Sequence, residues 1–175
     1  MKLSKRFLIV IFLLIIFPGQ IFAENKIVYF DMDKILESSK AGISIKTQLE
    51  KIHNSNIANF KKIEDSLKNE EKTLIAKKNL LSNEDFQKEL YKLKNDTNAY
   101  KKKRSKDIND VTTKRMNATK KMINLINPIL GKYAEERNIS IILSKQNVIM
   151  GKTELDISDE ILKLVDNQIK TFKIK

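Results

Sequence analysis

The chain contains no cysteine and no tryptophan, a single histidine, two prolines and four glycines in 175 residues. Each shortage removes a class of explanation. Without cysteine there is no disulfide framework, no thiolate nucleophile and no residue for a lipoprotein signal to acylate. His53 stands alone, so a zinc site is not expected, and it reads as an ordinary helix residue. Asp31 and Asp33 are two carboxylates two positions apart, but nothing nearby completes a metal or acid–base set; Asp33 is read as a helix cap. There is no Gly-rich phosphate loop and no nucleophile elbow. The expectation is therefore no catalytic, cofactor-binding or metal-binding residue, and a protein that is not an enzyme.

The scarcity of helix breakers is equally informative. No proline falls between Pro18 and Pro128, and no glycine between Gly42 and Gly131. Within that span apolar residues recur three and four apart: Ile45, Leu49, Ile52, Phe60, Ile63, Leu67, Leu74 and Leu81. The rhythm resumes at Phe86, Leu90, Leu93, Tyr100, Ile108, Val111, Ala118, Met122, Leu125 and Ile129. This is a coiled-coil-like or helical-hairpin stripe with polar gaps such as Asn56 and Thr97. One helix is expected from near Ile43 to Leu81, about 58 Å at ~1.5 Å per residue. A second runs from about Glu84 toward Arg137, with a kink or interruption at Pro128. Ser82 can cap it, with Asp85 three residues on. Four polar residues, 82–85, form a link short enough to make the helices antiparallel neighbours. The rival reading is one uninterrupted rod.

The first 23 residues read separately. Lys2, Lys5 and Arg6 precede the apolar run Phe7 to Phe17, and Pro18-Gly19 and Ala23 follow. This is the layout of a secretory signal peptide, too short for a membrane span of about 20 residues. Cleavage after Ala23 and an exported mature chain starting at Glu24 are expected.

The two ends of the mature chain read as β-rich. Lys26 to Asp31, bulky at every position from Ile27 to Phe30, is a strand expected to be covered on both faces, followed by a short helix, Lys34 to Ser38, and a small-residue bend at 39–42. Asn138 is a candidate left-handed terminator. Ile139 to Leu143 and Asn147 to Met150 are two further strands, expected to form an antiparallel hairpin with which the first strand pairs. Ser158 caps a last helix bearing Ile161, Leu164, Val165, Ile169 and Phe172. The fold class is α+β. Residues 24–42 and 128–175 make a β-rich body, and 43–127 a long helical hairpin arm.

The opening KIVYFDMDKILESSKAG, the charged hairpin, and INPILGKYAEERNISIILSKQNVIMGKTELDISDEILKLV together resemble the OmpH or Skp family of periplasmic chaperones. The specific parts are the opening strand with Asp31 and the closing Asp156-Ile157-Ser158. Where the family has an aromatic residue before the second strand, Asn138-Ile139 stands here. The resemblance implies a jellyfish-like homotrimer, in which a β-rich trimerisation body carries three tentacles around a cavity. It implies an ATP-independent holdase whose partners are unfolded outer-membrane proteins, kept from aggregating before membrane insertion.

Charge is concentrated in the arm. The whole chain carries a net charge of +12, and loss of residues 1–23 with their three basic groups leaves +9. Nearly all of that excess falls within residues 46–121. Lys101, Lys102, Lys103, Arg104 and Lys106 lie mid-helix and are expected opposite Lys61 and Lys62, with Lys77 and Lys78 nearer the tip. Such a belt either keeps a helical surface solvated or steers acidic clients, anionic lipid or lipopolysaccharide. Tyr91 and Tyr100 are candidate client contacts, as are Met116 and, less so, Met122. Phe60 and Phe86 are read as packing between the helices. The export signal and the absence of a reading module argue against nucleic acid as the partner of this basic chain. An envelope adaptor coiled coil without chaperone activity is the alternative function.

Overall fold

The computed structural model describes residues 26–174. The expected signal peptide, 1–23, and its cleavage site lie outside them. The order is β1 (Lys26–Phe30), α1 (Met32–Ser38), α2 (Lys40–Ala76), α3 (Asn83–Glu136), β2 (Ile139–Ser144), two 3-10 turns (Lys145–Asn147 and Thr153–Leu155) and α4 (Ser158–Gln168). The protein is mostly helical with a minor sheet.

Local chemistry sets the helix ends. The Asp31 carboxylate, not that of Asp33, caps α1 by accepting from Lys34 N–H at 3.0 Å. The expected bend at 39–42 is instead the first turn of α2. The buried Ser39 hydroxyl accepts from Gly42 N–H at 3.0 Å, so the helix starts at Lys40 rather than near Ile43. It closes at Ala76, short of Leu81, because the chain turns over Lys77; Leu80 and Leu81 N–H both donate to the Lys77 carbonyl. Ser82 caps α3, accepting from Asp85 N–H at 3.1 Å and donating to its carboxylate at 2.6 Å. Helix α3 is not interrupted at Pro128. A proline inside a helix costs about 3 kcal/mol. Here buried Ile126, Ile129 and Tyr133 anchor the turns on both sides of it, which offsets that cost. Asn138 then stops the helix with φ 51°.

β1 and β2 pair in parallel, Ile27 with Ile141, Val28 with Ile142 and Tyr29 with Leu143. Parallel strands need a long crossover, and here α1, α2 and α3 supply it. The expected third strand, Asn147 to Met150, and its antiparallel hairpin with the second are absent. Residues Lys145–Asn147 form a 3-10 turn instead. Lys145 pairs with Asp156 at 2.9 Å and Gln146 bonds Asp33, which draws the segment away from β2. The other edge of β1 is already taken: Tyr29 bridges to Asp156, and Ile157 N–H donates to the Tyr29 carbonyl at 2.9 Å.

Ser158 does not cap α4; it is the first helical residue, and Ile157 holds the cap position. The Ser158 hydroxyl, 2% exposed, accepts from Asp31 N–H at 2.8 Å and donates to Asp156. It ties the entry of α4 to the end of β1. Val28, Ile35, Met122, Ile126, Ile161 and Val165 are fully buried. They place the core where the strands, α1, α4 and the root of α2 and α3 converge. Contrary to expectation, β1 is covered on one face only, and Ile27, Ile141 and Leu143 are 43%, 48% and 40% exposed.

Candidate functional site

The long helices α2 and α3 leave this core together. Contacts between them run in opposite order along the two helices. Leu49 and Val111 line one groove at the root, Glu64 meets Arg104 midway, and Leu74 and Leu93 line another groove toward the link. Along α2 beyond Leu49, Phe60 and Leu74 are the buried positions. Ile52, Ile63 and Leu67 between these rungs are only half-buried, and Ile63 and Leu67 share a groove with Asp96, Ala99 and Lys103, which do not close the seam over them.

Midway lies a compact cluster. Arg104 Nη1 donates to Glu64 Oε1 at 2.7 Å and to the Tyr100 hydroxyl at 3.2 Å. The Tyr100 hydroxyl donates to the same Glu64 carboxylate. The Arg104 guanidinium lies 5.6 Å from the Phe60 ring centroid, and the Phe60 and Tyr100 rings meet edge to face at 6.3 Å. Desolvation and the Glu64 carboxylate push the Tyr100 phenol above its ordinary pKa, against the pull of Arg104. Tyr100 is thus engaged between the helices rather than offered outward.

The expected belt is only partly free charge. Lys103 is paired to Asp107 at 2.7 Å and Arg104 to Glu64. Lys62 and Lys103 line one shallow groove across the helix pair, with Tyr100 between them. Lys61, Lys62, Lys101, Lys102 and Lys106 are exposed and make no ion pair among the described residues. Lys77 and Lys78 sit in the turn that ends α2. Tyr91 is 67% exposed and Met116 59%, whereas Met122 belongs to the core. Phe60 packs between the helices and Phe86 is half-buried.

Other exposed apolar groups were not singled out by sequence. Leu80 and Ile75 flank the two link lysines at 83% and 64% exposure. Ile149 and Met150 project fully from the loop that replaces the expected strand. Ile141 and Leu143, two apart, share the bare sheet face, but buried Ile139 and half-buried Ile142 in the same run hid that pattern in the sequence. Leu80 carried no signal, because its periodic neighbour Leu81 took its place in the stripe.

At the body, Asp156 accepts from Ser158 N–H at 3.0 Å and from Lys145. Partial burial raises its pKa, but these hydrogen bonds outweigh burial and hold it below the ordinary value. Lys145 is raised by the same partner. Among the described residues no group of His, Asp or Glu is arranged to hold a metal ion, and no helix is long and apolar enough to cross a membrane.

Among curated proteins, no sequence matches the chain. Among solved structures, a candidate outer-membrane chaperone described as OmpH-like, from Caulobacter crescentus, superposes with a TM-score of 0.81 at 21% identity. That match covers 85% of this chain and 88% of the other. The likeness is one of fold. A family profile described as Outer membrane protein (OmpH-like) matches residues 26–165, most of the chain. The protein therefore belongs to the OmpH-like family of periplasmic, non-catalytic chaperones.

Proposed function

We propose that the protein is an ATP-independent holdase that retains unfolded outer-membrane proteins in a cavity between helical arms until membrane insertion competes successfully. Residues 24–42 and 128–175 form the body and 43–127 the antiparallel, coiled-coil-like arm. The observation that carries this reading is the distribution of apolar groups on α2 and α3. Ile57, Ile75, Leu90, Tyr91 and Ile108 on the helices, and Leu80 in the link between them, are all at least 42% exposed and are dispersed along the arm. Each offers a weak contact, and many weak contacts retain a chain strongly while allowing local exchange. None demands a particular client shape.

Self-association as a homotrimer is supported by the bare sheet face, Ile27 and Ile141 beside Tyr29 and Leu143. A two-stranded sheet with an apolar face uncovered is marginal alone, and a shared body would cover it. The unpaired lysines at 61, 62, 101, 102 and 106 supply a salt-sensitive attraction for acidic client segments, anionic lipid or lipopolysaccharide. The test is light scattering from a urea-unfolded outer-membrane barrel on dilution. The mature chain should suppress it in the absence of nucleotide, and deletion of residues 60–105 should abolish suppression while the mass in solution stays that of a trimer of the shortened chain. Retained suppression in the deletion variant would defeat the arm-mediated mechanism.

A further inference from the structure

Beyond α4 the chain does not end at the edge of the body. It turns back and crosses the root of the arm. Ile169 and Phe172 are 8% and 5% exposed, and Ile174 packs against the same core, while Lys170, Thr171 and Lys173 face outward. Phe172 sits between the two long helices, with Lys121 Nζ of α3 5.1 Å from its ring centroid. The backbone is held from α2. Gln48 Nε2 donates to the Phe172 carbonyl at 2.7 Å, and Gln48 Oε1 accepts from Ile174 N–H at 3.2 Å. Ser44 Oγ donates to the same Phe172 carbonyl at 3.2 Å.

Both ends of one side-chain amide are thereby satisfied by the backbone on either side of residue 173. This is the pairing an adjacent strand would offer, supplied from a helix. It reads extended main chain and is indifferent to the outward side chains. Selectivity comes from the inward positions, an aromatic and an aliphatic residue two apart. The match to the family profile stops at Val165, so this strap lies beyond the shared segment.

We propose that residues 169–174 are a built-in occupant of a peptide-binding groove at the arm root. The groove takes extended segments with an aromatic-x-aliphatic pattern, and client strands displace the strap to enter it. Strands of outer-membrane barrels alternate apolar and polar residues along their length, which is the pattern the groove accepts. The inference rests on the holdase reading for its client, but the groove itself can be tested without one. A tethered occupant weakens the apparent affinity for any competitor by the fraction of time the groove is open.

The probe is a fluorescein-labelled peptide copying residues 168–175, followed by anisotropy with the mature chain. Phe172→Ala loosens the strap and is expected to bind the peptide on the order of tenfold more tightly than wild type, the loss of strap contacts raising the open fraction. Adding Gln48→Leu should remove that gain. Because Phe172→Ala removes buried area, amide exchange at Ile174 in the wild-type chain gives a second reading. Addition of a urea-unfolded outer-membrane barrel should accelerate it. Equal binding by wild type and Phe172→Ala, or unchanged Ile174 protection with client bound, overturns the proposal. If aggregation suppression fails but the peptide binds Phe172→Ala, the groove stands and the holdase reading falls. Suppression without any peptide binding sinks the groove alone.

Discussion

Two glycines on long helices should respond to the same substitution with opposite signs. Gly42 lies in the first turn of α2, where α1 crosses it. A methyl group there would sit 1.9 Å from the Leu36 carbonyl oxygen and 2.7 Å from the Leu36 carbonyl carbon. Carbon–oxygen contacts settle at about 3.3–3.6 Å, so the helices would have to part by roughly 1.5 Å. The obstacle is backbone, which no rotamer change can move. Overpacking of this kind costs about 1–3 kcal/mol or more, against a gain near ~1 kcal/mol from replacing glycine in a helix. Gly131, in α3, has nothing within 4 Å of its would-be methyl, so only the helix gain applies. Gly42→Ala should lose about 2 kcal/mol, a fall of roughly 4–8 °C in Tm for a chain of this size, and Gly131→Ala should gain roughly 2–4 °C. Thermal unfolding followed by circular dichroism, at one protein concentration because association shifts Tm, makes the comparison. A Gly42→Ala variant as stable as Gly131→Ala would refute the claim that α1 and α2 touch there through bare backbone.

Other outcomes follow from the caps, the rungs and the charges. Ser82→Ala removes the cap of α3 and should cost about 1 kcal/mol, seen as faster amide exchange at Asp85 and Phe86 with the body unchanged. Phe60→Ala opens the mid-arm rung, where buried Phe→Ala changes cost about 3–5 kcal/mol; exchange should rise along residues 55–70 and 95–108 while Val28 and Ile161 keep their protection. Asp156 has a folded pKa below its unfolded one, so its contribution is full above the unfolded value, about 3.9, and is lost as pH falls through the lower folded value. The urea midpoint of wild type should drop across that acid window, and Asp156→Asn should flatten that part of the profile while lowering the neutral-pH midpoint.

Much of the architecture was legible in the order of residues. A span without proline or glycine and with apolar groups at helical spacing has few alternatives to long helices, and Ser82 with Asp85 marked the second start. Asn138 announced a left-handed stop. The failures are tertiary. Asn147 to Met150 looks like a strand by composition, but Lys145 and Gln146 just before it are bonded to Asp156 and Asp33, and the turn they make carries the segment off β2. Pro128 would break an isolated helix; buried Ile126 and Ile129 keep it continuous, and periodicity alone does not weigh one against the other. At the candidate site, the basic run was plain, and Asp107 stands one turn beyond Lys103 on the same helix, whereas the neutralisation of Arg104 by Glu64 required knowing which helix face meets which. The bond of Tyr100 to Glu64 was hidden for the same reason. The strap at 169–174 read only as the tail of a helical stripe.

The pairing of β1 with β2 joins Tyr29 to Leu143, 114 positions later. A chain delivered across a membrane from its N-terminal end would present the first strand long before its neighbour emerged. Until then that strand has a vacant hydrogen-bonding edge and no lid over Val28 and Phe30. Closing so large a loop carries an entropic toll that grows with the logarithm of its length, and such long-range contacts slow folding. The helical excursion shortens the effective distance: once α2 and α3 lie side by side, they carry residue 139 back to within reach of residue 26. Assembly of the body should therefore wait on the arm, so a defect midway along the helices would delay maturation at the far end of the molecule.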